Sequence, residues 1–164
     1  MNDSDFDLVC YSDGSGHVDG FGGWAALCET PDKVWCIFRS AAINGISVER
    51  AEFSGLLEGL QMAMELSKQL PQYVPGWKPR VMLFTDRENL VLSIKGVYDC
   101  GTDKDLWNRY RYYESILDIA VTHLDRESKI AAFKLCDREA STCRIIAKQY
   151  AQANNFPPYR LTFE

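Results

Sequence analysis

Four acidic residues stand where a chain changes direction. Asp13 precedes Gly14 at the end of a short apolar run, and Glu52 falls in the first turns of a periodic segment. Asp86 closes a nearly continuous apolar run, and Asp137 follows another one, where a last helix is expected to begin. Taken singly, each has an ordinary reading, Asp13 as a turn residue and Glu52 as a solvated helix residue. Taken together, they describe a charge cluster. Two carboxylates about 4 Å apart, at an effective dielectric near 20, repel by roughly 4 kcal/mol. Such a cluster persists by binding protons or cations, and hard oxygen ligands select Mg2+ or Mn2+. Two ions roughly 3.5–4 Å apart, bridged by carboxylates, can activate a water and stabilise the leaving oxygen in phosphodiester cleavage.

The elements that must position these acids follow from composition and period. Residues 6–40 read as three strands in an antiparallel meander, with runs at 8–12, 24–27 and 34–39; glycines at 14, 20, 22 and 23 break the chain between the first two. From Val48 the period becomes helical, with Ala51, Phe53, Leu56, Leu57, Leu60 and Met64 on one face and Ser47 as N-cap. Prolines at 71, 75 and 79 close that helix. The run 80–86 suits a central strand reached by a parallel crossover. Helices are expected at 87–94 and 106–122, a fifth strand at 130–135 and a last helix at 140–153. An irregular tail from residue 154 would be docked by Phe156, Tyr159 and Phe163. The expected organisation is one domain over 1–164, with a core of about 6–153.

Composition narrows the class. With 46% hydrophobic and 25% charged residues, the 164-residue chain reads as an ordinary globular protein. No apolar run approaches a membrane span, and the acidic start is unlike a targeting peptide, so an intracellular, cytoplasmic location is expected. The six cysteines form no C-x-x-C pair and lie mostly in apolar runs, which suits buried reduced thiols. A net charge of −5 argues against broad binding to a phosphate backbone, although cation-holding carboxylates account for part of it.

The motifs Tyr11-Ser12-Asp13-Gly14-Ser15, Gly22-Gly23-Trp24-Ala25-Ala26, Glu49-Arg50-Ala51-Glu52, Phe84-Thr85-Asp86 and Asp105-Leu106-Trp107 resemble, in order and near-family spacing, the type 1 ribonuclease H family. The resemblance covers roughly residues 6 to 150. It implies an α/β fold with a five-stranded mixed sheet, three antiparallel strands followed by parallel ones, flanked by helices. It also implies hydrolysis of the RNA strand of RNA–DNA hybrids with two Mg2+ or Mn2+ ions per site. Asp13, Glu52 and Asp86 would be metal ligands and catalytic residues, with Gly14 and Ser15 beside the substrate.

The sequence departs from the family in two respects. The family's glycine- and histidine-bearing loop after the fifth strand is missing, because Cys136-Asp137 follows 130–135 at once and no histidine comes after His123; Cys136-Asp137 is read as the matching pair. Asp137 is then the fourth ligand; in the competing alignment Ser141 holds that position and a carboxylate is lost, with Glu139 in reserve. His123 is expected as a surface residue before the fifth strand, and His17 as a loop residue. The second departure is a thin basic handle, with few cations between Asp86 and Asp105. Arg109 and Arg111, beside Trp107 and Tyr110, could grip a phosphate and stack on a sugar or base. Weak hybrid binding is expected unless a partner chain or domain adds affinity. The alternative function is a ribonuclease H-like binding or scaffolding module with reduced catalysis.

Overall fold

A computed structural model describes residues 5–96, 102–154 and 160–163. The chain opens with three antiparallel strands, β1 (Leu8–Gly16), β2 (Phe21–Glu29) and β3 (Cys36–Asn44). Helix α1 (Val48–Ser67) then crosses to β4 (Arg80–Thr85), which pairs parallel to β1. Helices α2 (Glu88–Ile94) and α3 (Lys104–Ile116) precede β5 (Asp118–His123), and α4 (Ala131–Asn154) precedes β6 (Arg160–Phe163). The sheet order is β5-β4-β1-β2-β3-β6, so the expected five-stranded mixed sheet is present with one short strand added at its β3 edge.

β1 is central and has helices on both sides, which its composition explains. Side chains alternate between the faces of a strand. Leu8 and Cys10 enter a core with Leu56, Leu57 and Leu60 of α1. Val9 and Tyr11 enter a second core with Phe133, Cys136 and Ala140 of α4. Asp13 shares the parity of Val9 and Tyr11, whereas Gly14 faces α1. A Cβ on Gly14 would lie 2.4 Å from the Glu52 Cα, closer than a side chain permits, so glycine is what brings the start of α1 against the strand.

Four expectations about the elements are corrected. β1 runs three residues past Asp13, because its pairing with β2 continues to Gly16↔Gly22. β3 starts at Cys36 and extends to Asn44, where Ala41 and Ala42 are buried. The helix expected through residue 122 ends at Ile116, and the β-branched stretch after it forms β5, paired parallel to β4 from Arg80↔Asp118 to Thr85↔His123. Residues 131–135 are therefore the start of α4, not a strand. Phe133, Cys136, Ala140, Cys143 and Ala147 are all buried at alternating three- and four-residue spacing, the stripe of one helix face.

The tail is also corrected in part, because residues 160–163 form β6 against β3. Phe156 and Tyr159 lie outside the described residues. Cys10, Cys28, Cys136 and Cys143 are buried free thiols as expected, Cys36 is exposed, and Cys100 lies outside the described residues. No helix among the described residues is long and apolar enough to cross a membrane.

The approach of α4 to the sheet depends on Gly23. A Cβ there would lie 2.5 Å from the Cys143 Cβ and 2.6 Å from the Ala140 carbonyl oxygen. Gly23→Ala is therefore expected to destabilise the protein by about 1–3 kcal/mol, the usual cost of overpacking. Urea unfolding measures this, and an unchanged midpoint would show that α4 does not pack so closely on β2.

Candidate active site

The last pair between β1 and β4 is Tyr11 with Phe84. Beyond it the two strands part, and the β4-facing side of β1 is left open. Asp13 lies two residues past this split, and Asp86 follows the last residue of β4 directly. Glu52 enters from the first turns of α1, whose start is capped by Ser47 Oγ accepting from the Arg50 backbone N–H at 3.2 Å. Asp137 reaches in from α4. These four acids line one cleft of about 360 Å³, together with Gly14, Ser15, Arg126, Ser141 and Arg144.

Burial and crowding give the acids unusual protonation. Asp13 is 6% exposed and accepts from the Gly14 N–H at 2.9 Å. Burial, then the Asp86 charge and a side-chain hydrogen bond with Asp137, push its carboxyl up to about 9. Glu52 is 3% exposed, and burial is the main reason its carboxyl rises to about 7, with Arg87 opposing. Two arginines offset the remaining charge. Arg126 Nε donates to Asp86 Oδ2 at 2.9 Å, and Arg87 Nε lies 3.0 Å from Glu52 Oε2. That second contact is an ion pair without hydrogen-bond alignment, so Oε2 is buried with no hydrogen-bond partner.

Among the described residues, no three acidic, histidine or cysteine side chains are gathered closely enough to hold a metal ion. The two arginine pairs supply a physical reason, since they hold Asp86 and Glu52 turned toward guanidinium groups. The donor set itself, four carboxylates with one orphaned buried oxygen, suits a hard divalent cation.

Other sequence expectations meet the structure unevenly. Asp137 sits two turns inside α4, not at its start, and it interacts with Asp13; Ser141 lines the same cleft one turn further on. Glu139 is not among the residues lining the cleft. Gly14 and Ser15 line it, but the proposed Trp107 and Arg109 handle does not. Trp107 is buried in the core, edge-on to Phe53 at 4.7 Å and to Tyr110 at 5.8 Å, and Arg109 lies 3.8 Å from Glu58. Aromatic residues on α3 serve the hydrophobic face that joins it to α1.

The place of the segment before α4 is corrected. His123 ends β5, with Nε2 3.2 Å from the Asp86 carbonyl oxygen, and residues 124–130 then lead to α4. That segment contains neither glycine nor histidine and carries Arg126. His17 is a turn residue 3.3 Å from Asp19. Arg126 and Arg144 were not recognised as cleft residues in the sequence. The alternation of β-formers at 118–123 was the available signal for Arg126, because it moves the loop to its true place.

An antiparallel meander, a crossover helix, two parallel strands and an acid-lined cleft at their split define the ribonuclease H fold. No protein-family model matches the chain, and no curated protein matches it. Solved structures do. The chain is similar to the N-terminal RNase H domain of rv2228c from Mycobacterium tuberculosis, with a TM-score of 0.74 and 21% identity over 89% of this chain and 99% of that one. It is similar to RNase H1 from the halophilic archaeon Halobacterium salinarum NRC-1, with a TM-score of 0.66 and 20% identity over 85% and 98% of the two chains. LC11-RNase H1, solved in complex with RNA/DNA hybrid, gives a TM-score of 0.64 and 18% identity over 82% and 97%.

The raised Asp13 carboxyl makes a pH prediction for the metal-free protein. An acid with a folded value above its unfolded 3.8 keeps a proton that the unfolded chain has released, so stability declines as pH climbs from about 4 toward 9. Asp13→Asn is expected to flatten that decline and, at pH 8, to raise stability by about 2 kcal/mol, or roughly 4–8 °C in thermal midpoint. Thermal unfolding in chelator across pH 5 to 9 checks both; equal slopes for the variant and the parent would rule out the crowded site.

Proposed function

We propose that this protein is a metal-dependent endonuclease that hydrolyses the RNA strand of RNA–DNA hybrids. The observation that carries this reading is the convergence of Asp13, Glu52, Asp86 and Asp137, from four separate elements, on one cleft of the ribonuclease H fold. Neutral hydrogen-bonding residues would fill such a cleft at far lower electrostatic cost. Acids are suited to it if cations enter. The orphaned Glu52 Oε2 supports the same reading, because a buried carboxylate oxygen without a donor lacks the partner that a bound ion would supply.

The residues present would divide the work. Asp13, Glu52, Asp86 and Asp137 would together hold the Mg2+ or Mn2+ ions, two per site, with Asp13 central and almost fully buried. When bound, the ions would lower the pKa of a water and stabilise the leaving oxygen of the scissile phosphodiester. Asp13 would exchange its proton for that charge compensation. Gly14 and Ser15 line the cleft beside Asp13, where a sugar-phosphate backbone would pass. Arg126 and Arg144 bring positive charge to the cleft wall, and a phosphate is the group they suit. With few cations between Asp86 and Asp105, a partner chain or domain would add affinity for the hybrid.

The second reading is a binding module with reduced catalysis. It draws on the arginine pairs, which offset the charges of Glu52 and Asp86 without metal. Cleavage of labelled RNA–DNA hybrid, double-stranded RNA and single strands, each with Mg2+, Mn2+ or chelator, separates the two. The nuclease reading expects metal-dependent cutting of the hybrid. Asp13→Asn or Asp86→Asn should lose at least about a hundredfold, since each removes charge that holds the ions. Asp137→Asn should be milder and partly rescued by excess Mn2+. If the parent, Asp13→Asn and Asp86→Asn were all inactive yet bound hybrid equally well, the binding module would stand.

A further inference from the structure

Arg87 is placed against local helix preference. It occupies the N-cap of α2 and makes no side-chain capping bond there. A cation at this end also opposes the helix dipole, where Ser, Thr, Asp or Asn would be favoured. The side chain turns instead to α1. Nε lies 3.0 Å from Glu52 Oε2, Nη1 donates to Glu52 Oε1 at 3.4 Å, and Nη2 to Glu49 Oε1 at 3.4 Å. The contrast with Arg126 is one of burial. Arg126 is 76% exposed on a loop and can swing from Asp86 into solvent, whereas Arg87 is 26% exposed and is held beside a carboxylate that is 3% exposed.

We infer that Arg87 is a positioning residue that stands in for a cation on the Glu52 side of the cleft. The inference rests on the reading of this cleft as a cation site. In the metal-free protein the guanidinium neutralises Glu52 and fixes the carboxylate at the cleft wall. It does so without giving the buried Oε2 an aligned hydrogen bond. An entering ion need only compete with a misaligned ion pair. Competition nevertheless weakens binding on that side, because a fixed positive charge remains close to any ion that Glu52 holds.

Isothermal titration of Mn2+ into the metal-free full chain, without substrate, tests this. Arg87→Met keeps the apolar stem and removes the charge, and Arg87→Gln removes the charge but keeps a polar side chain. In either variant the Mn2+ binding that depends on Glu52 is expected to tighten by about tenfold or more, because a unit positive charge a few ångströms from the ion is removed. Adding Glu52→Gln should abolish the gain. Circular dichroism of the metal-free variants checks that they fold, and whichever neutral variant folds supplies the measurement. Mn2+ binding by the parent that is unchanged or weakened in the variants would overturn the placeholder role and leave the cation site intact. No Mn2+ binding by the parent would overturn both.

Discussion

Like-charge repulsion among buried carboxylates is the constraint around which this cleft is built. Asp13 and Glu52 are almost fully buried, and Asp86 is 6% exposed, so water cannot screen them from one another. The fold answers in three ways. Asp13 takes up a proton, Arg87 pairs with Glu52, and Arg126 pairs with Asp86. Each compensation is of a kind that a divalent cation can replace, because protons, guanidinium groups and metal ions all compete for the same oxygens.

That arrangement would not form without unusually close backbone packing. Gly14 lets the start of α1 touch β1, and Gly23 lets α4 lie on β2. The first approach brings Glu52 to Asp13, and the second sets the height at which Asp137 meets it. The split between β1 and β4 after Tyr11 and Phe84 then opens the cleft that all four acids line. The large cores on both faces of β1 make these approaches favourable, so the hydrophobic packing holds together charges that would otherwise separate. The cleft is thus a strained electrostatic arrangement supported by an ordinary interior.

Much of this was legible along the chain. The apolar run at 8–12, the helical stripe after Val48 and the apolar run before Asp86 are short-range patterns, and each marked an element of the expected type, β1 extending further than its run. Asp13, Glu52 and Asp86 could be picked out because each lies beside an apolar run or helix start and within a recognisable motif. The second half was harder to read. Ile119, Val121 and Thr122 could extend the apolar stripe of α3, and Ala132, Phe133 and Leu135 could serve a strand as well as a helix. Short apolar runs do not distinguish the two states by period alone.

What the sequence determined by itself was therefore local: a chain of strand and helix formers, with acids at their ends and glycine where the backbone must come close. Tertiary structure decided which state the ambiguous runs took. A free edge on β4 accepted 118–123 as β5, and the second face of the sheet required a long helix from Ala131. It also decided the partners of the charges. Trp107 went to the core, Arg126 came over Asp86, and Arg87 turned from its own helix to Glu52. A residue's propensity depends on its neighbours in the chain, but the pairing of a buried charge depends on every group that folding brings within a few ångströms, and no local pattern records that.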